Sequence, residues 1–129
     1  MGTVPDPVER RLRGAALIAH LATCGDGRPH VAPVWYGYPE ADVLEVLTTG
    51  RKLANIRTNP RVAVSIQRDT DGEAEWYVVL RGTAEVIEDD AAIREAAAYI
   101  NPKYDAPADA WAENTLVRIE IGSVSHGAY

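Results

Sequence analysis

Apolar and polar residues along this chain fall mostly into runs that fit strands, with three stretches at helical spacing between them. Residues 61–67 (RVAVSIQ) put Val62, Val64 and Ile66 on one face and Arg61, Ala63, Ser65 and Gln67 on the other. Residues 115–121 (TLVRIEI) turn Val117, Ile119 and Ile121 inward. Four more runs read as strands: the apolar 15–24, then 28–38, 43–49 and 74–88. Gly25-Asp26-Gly27, Pro39-Glu40-Ala41-Asp42 and the 69–73 segment DTDGE are turn signals between them. Pro33 has no N–H, so its strand belongs at a sheet edge or carries a bulge. Gly82, in the middle of the longest run, predicts a bulge or a bend.

The helical stretches are 5–13, opening near Pro5 and Pro7, then 51–59, and 89–101. In 51–59, Leu53, Ile56 and Arg57 share a side, and Asn59-Pro60 ends the pattern. In 89–101, Ile93, Ala97 and Ile100 lie near one face. Residues 102–114 read as a loop with one helical turn. Six long strands with hairpin links predict a mainly β protein, an antiparallel barrel with two or three short helices, as a single domain over 1–129. Such a small barrel is filled by its own side chains. A ligand of flavin size must then lie on the outer wall, under a helix or between two subunits.

Charge narrows the function classes. The chain has 19 acidic and 13 basic residues, a formal charge of −6, which disfavours a nucleic-acid partner. No apolar run approaches the roughly 20 residues that span a bilayer, and residues 1–13 hold no apolar signal core. A cytoplasmic location and no membrane partner are the expectation. The single cysteine, Cys24, excludes an internal disulfide and a multi-cysteine metal cluster. Of the basic residues only Lys52 and Lys103 are lysines.

Lys52 lies in Thr48-Thr49-Gly50-Arg51-Lys52, which ends a strand and opens a helix. Free N–H groups and the positive dipole end at a helix start suit a phosphate, and two hydroxyls and two cations add donors. The alternative is a solvated pair of cations on an exposed turn. A second candidate is 28–36 (RPHVAPVWY), an aromatic-tipped strand along which a flat ring could rest. Packing of Trp35 into the core is what the pattern alone favours there. His20, in an apolar strand, reads as a core or interface histidine. His30 and His126 are isolated, Cys24 has no visible base, and no serine stands in a G-x-S-x-G context. No phosphate-binding glycine motif of the Walker or dinucleotide type is present. No catalytic side chain and no metal ligand is assigned.

Taken together, "DGRPHVAPVWY" (26–36), "TTGRKLANIRTNPRVAVSIQ" (48–67) and "VVLRGTAEVIED" (78–89) resemble, in order and spacing, the pyridoxamine 5′-phosphate oxidase-like split-barrel family. The resemblance covers about 15 to 122. It implies a homodimer of split β-barrels with FMN, or the deazaflavin F420, at the subunit interface. Arg51 and Lys52 match the positions that hold the cofactor phosphate, and Thr48 and Thr49 the strand end lining the same pocket. Ala32, Pro33, Val34 and Trp35 match the strand whose backbone meets the flavin ring. Tyr77 takes the place of a Gln that, in the oxidases proper, reaches the neighbouring subunit's flavin. Those oxidases also have a longer C-terminal portion than "GSVSHGAY", so pyridoxamine phosphate oxidation itself is not expected.

The expectation is therefore an FMN-dependent oxidoreductase acting on a small molecule. Trp76, Tyr77, Tyr104 and Trp111 are candidate walls for that substrate. An F420-dependent reductase and a non-catalytic flavin- or heme-binding protein are the alternatives. F420 carries a longer acidic tail, and the few cations available, with Arg28, Arg57 and Arg81 as outlying candidates, favour FMN.

Overall fold

The computed structural model describes residues 2–14 and 16–129. Its elements in chain order are α1 (Asp6–Arg13), β1 (Ala19–Cys24), β2 (Pro29–Val34), β3 (Tyr36–Glu40), β4 (Val43–Thr48), α2 (Gly50–Thr58), β5 (Arg61–Thr70), β6 (Glu73–Ile87), α3 (Asp90–Lys103) and β7 (Thr115–Ala128). The strands form one antiparallel sheet in the order β2-β1-β5-β6-β7-β4-β3. β2 and β3 follow one another through Trp35 alone, yet sit at opposite edges of the sheet. That single residue ties the two edges together, and the curled sheet is a split barrel.

The expected six strands are thus seven. The run 28–38 is not one strand: β2 pairs with β1, and β3 pairs with β4, so the chain changes partners at Trp35. The first strand starts at Ala19, and the last runs on to Ala128 rather than stopping at 121. Pro33 sits on edge strand β2 in unbroken register with His20, so the edge accounts for it and no bulge is needed. At Gly82 the expected bulge is present: the β6–β7 register shifts between Arg81 and Gly82. A Cβ at Gly82 would lie 2.2 Å from the backbone oxygen of Glu120, so no larger residue permits that approach.

The inward faces supply the core. Leu21, Leu44, Val64, Ile66, Leu80 and Ile119 are fully buried, and each adds roughly 1.5–3 kcal/mol by leaving water. The barrel interior is therefore filled, as its size predicts. α1 seats Val8 and Leu12 against this core, and the Tyr36 hydroxyl donates to Leu12 O at 2.9 Å. α2 is clamped to β1 by two amides: Asn55 Nδ2 donates to Thr23 Oγ1 at 3.0 Å and Asn59 Nδ2 to Cys24 O at 2.9 Å. α3 packs Ala96 and Ile100 against Leu116 of β7. On its other side it meets a buried acid, Glu45. Arg118 Nη2 lies 2.8 Å from Glu45 Oε2, and Tyr99 donates its hydroxyl to Oε1.

Candidate functional site

Where the barrel splits, an open cleft of about 480 Å³ lies between the end of β2 and the end of β4. Pro33, Val34 and Trp35 form one side, and Leu47, Thr48, Thr49 and Lys52 the other. β2 is an edge strand, so its outer rim carries backbone groups that no neighbouring strand pairs. α2 begins at the cleft with Gly50 at φ 71°, a left-handed turn that glycine adopts without strain. That turn brings the helix start out of β4 directly. Thr49 makes no side-chain capping bond, and no acidic residue stands in the first turn of α2. Its N–H groups are thus left to a group from outside the helix.

The back wall comes from α3 and the loop after it. Trp35 stacks on Tyr104, with ring centroids 4.8 Å apart and planes 3° from parallel, and Trp111 meets Trp35 edge-on at 6.4 Å. Trp111 is 59 % exposed and holds φ at 56°, a left-handed conformation unusual for so bulky a residue. Asn101 organises this loop: its Nδ2 donates to Ala108 O and Ala110 O at 3.2 and 2.9 Å. Asn114 reaches Leu47 O at 3.4 Å across the cleft floor.

Two consecutive residues of α3's end then fix the corner that carries Trp35. The Tyr104 hydroxyl accepts from Tyr36 N at 3.2 Å and donates to Leu17 O at 2.6 Å. Lys103 Nζ donates to Tyr36 O at 3.1 Å. Burial pushes Lys103 down to about 8, and burial raises the Tyr104 phenol, so the phenol remains a donor near neutrality.

Of the residues picked from sequence, Pro33, Val34, Trp35, Thr48, Thr49 and Lys52 come together in this one cleft. Arg51 is exposed on the first turn of α2 beside it, and Ala32 lies one residue back on β2. Tyr77 lies elsewhere, on β6 opposite Gln67, its ring 6.0 Å from that of Tyr129. Trp35 faces the cleft rather than disappearing into the core. Of the wall candidates, Trp111 lines the cleft and Tyr104 stands behind Trp35, while Trp76 lies away from it. His20 is exposed on β1, not a core histidine, and none of His20, His30 and His126 lines the cleft. Arg57 is engaged with Glu88. Asn101 and Asn114 were not singled out from sequence. The one available signal was an amide at the end of a helix and another before a strand.

A family model described as pyridoxamine 5′-phosphate oxidase matches residues 5–127. The chain belongs to this family. Solved structures agree on the flavin- and F420-binding split barrel. A FAD-binding protein from Mesorhizobium loti is 26% identical, with 95% of this chain and 94% of that chain covered and a TM-score of 0.74. An F420 reductase is 27% identical, with 90% and 94% covered and a TM-score of 0.72. The heme storage protein of Vibrio cholerae, at 17% identity, with 99% and 95% covered and a TM-score of 0.72, shares the fold. A comparison with curated proteins finds no match. No described helix is long and apolar enough to cross a membrane.

Proposed function

We propose that this protein is an FMN-dependent oxidoreductase that acts on a small molecule as a homodimer. The observation that carries the reading is the composition of the split. One end offers Lys52, Thr48, Thr49 and the uncapped start of α2. The other offers the unpaired rim of β2 and an aromatic wall at Trp35. These groups fit a flavin mononucleotide end to end: a phosphate on the cations and N–H groups, and a flat ring along β2. When bound, the flavin would supply the hydride chemistry. The chain's own part is to neutralise the phosphate, orient the ring and keep Trp35 in place through Tyr104 and Lys103. With Arg57 held by Glu88, only Arg51 and Lys52 are left as cations at the start of α2, which favours FMN over a cofactor with a longer acidic tail. None of the three histidines lines the cleft, which weighs against heme.

The dimer reading rests on the outer face of β2, β1 and β5. Val31 is 65 % exposed, Ile18 43 %, and the neighbouring Ala22 and Ala63 keep this part of the sheet face flat, with Arg61 and Arg81 beyond Ala63. A second copy seated there would cover these apolar groups. Three measurements test the proposal. The absorption spectrum of the purified protein, before and after addition of FMN, F420, FAD or heme, is expected to report a bound flavin. A protein that stays colourless with all four sinks it. A turnover screen of the FMN-loaded protein then seeks the substrate. Val31→Asp is expected to turn a dimer in sedimentation analysis into a monomer; a wild type that sediments as a monomer removes the dimer from the proposal.

A further inference from the structure

A second cleft, of about 370 Å³, gathers three arginines and no acid. Arg10 and Arg11 come from the last turn of α1. Arg68 comes from β5, with Trp76 directly across the ladder on β6. The Arg11 guanidinium lies over the Trp76 ring, 5.5 Å from its centroid. Among the described residues the ion pairs are made by Arg13, Arg57 and Arg118, and none by Arg10, Arg11 or Arg68. This cleft shares no residue with the one at Lys52.

Basic residues in a helix's last turn favour its dipole, which accounts for Arg10 and Arg11 taken alone. It does not account for Arg68, which another element delivers to the same place. The chain has acids to spare, four of them (Asp69, Asp71, Glu73 and Glu75) in the very hairpin that carries Arg68 and Trp76, yet none lines the cleft. Like charges brought together repel unless an anion joins them. Guanidinium forks match phosphate oxygens in pairs, and an aromatic face beneath Arg11 holds its plane in position.

We infer that this cleft binds a compact polyanion of the phosphate class, a small molecule with two adjacent phosphate groups. A diphosphate carries about three negative charges near neutrality, which three arginines balance. The inference is independent of the flavin reading of the first cleft.

Inorganic pyrophosphate in 150 mM salt is the probe, followed by calorimetry on wild type, Arg68→Gln and Lys52→Ala. Wild type is expected to bind one equivalent per chain at this cleft, Arg68→Gln to bind it about tenfold or more weakly, and Lys52→Ala to keep it while losing any bound at the start of α2. The indole N–H resonance that Trp76→Phe removes is expected to shift on titration. Without ligand, Arg68→Gln is expected to melt no lower than wild type, since it relieves repulsion; this also shows that the variant folds. No binding by wild type overturns the inference. So does binding that Arg68→Gln leaves wholly intact or Lys52→Ala abolishes altogether. Tighter binding of a hexaglutamate peptide than of pyrophosphate also overturns it, in favour of an acidic protein segment.

Discussion

Two helices of this protein begin in opposite ways. α3 starts on Asp89, whose carboxylate accepts the N–H of Ala92 at 2.9 Å, and Asp90 follows in the first turn. α2 starts on Thr49, which makes no side-chain cap, has no acid in its first turn, and is followed by Gly50, Arg51 and Lys52. The first helix satisfies its free N–H groups and its dipole with its own side chains. The second leaves its N–H groups open and adds two cations where the dipole is already positive. That arrangement forgoes roughly 1 kcal/mol of capping and adds a penalty of about 0.3–1 kcal/mol for each misplaced charge. α2 is nevertheless firmly held, by Asn55 and Asn59 on β1. The difference favours the proposed phosphate site at the start of α2, a helix whose stability comes from packing instead.

Giving α2 the start that α3 has should break the comparison most strongly. Thr49→Asp places a capping carboxylate where the proposed phosphate would sit. FMN affinity is expected to fall by about 100-fold or more, since a charge-assisted bond is replaced by repulsion. The same variant, without cofactor, should be more stable by roughly 1 kcal/mol. Calorimetric binding and thermal melting read the two effects, and a variant that binds FMN normally would place the phosphate elsewhere. Lys52→Ala removes one cation without adding repulsion. It is expected to weaken FMN by about 1.5–3 kcal/mol while leaving the melting temperature almost unchanged. The mirror experiment is Asp89→Ala on α3. It should cost about 1 kcal/mol of stability and leave FMN affinity within about twofold, because α3's start serves the fold alone.

The same contrast shows what the sequence makes legible. The cations at the start of α2 stand against the dipole preference, and that local anomaly is visible without a structure. Gly82 is legible for a similar reason: a glycine amid strand formers demands a close approach, here to Glu120. The break at Trp35 is not legible. Trp and Tyr are good strand residues, so 28–38 reads as continuous, and only the change of pairing partner from β1 to β4 divides it. The polar back of the cleft escapes for a related reason. Lys103 and Tyr104 grip Tyr36 across 67 and 68 residues of sequence, and no local pattern encodes which backbone groups they meet.

The far end of α3 yields the smallest prediction. A lysine in a helix's last turn suits the dipole, but Lys103 is half-buried against the Tyr36 ring, its Nζ 3.8 Å from the centroid, with no carboxylate paired to it among the described residues. Burial holds it at about 8 in the folded chain, against 10.5 ordinarily. Below pH 8 both states are protonated, and the folded state bears the full burden of the buried charge. Between pH 8 and 10.5 the unfolded chain binds more protons than the folded one, so stability from this group rises with pH. Lys103→Met removes the titration. The melting temperature of the variant relative to wild type should therefore be highest below pH 8 and decline towards pH 10. The change is on the order of 0.5 kcal/mol, because the ammonium remains partly in water. Tyr36, Tyr99 and Tyr104, all raised by burial, are present in both proteins. A difference that stays flat from pH 7 to 10 would show that Lys103 is solvated like any surface lysine, and that α3 holds the Trp35 corner through Tyr104 alone.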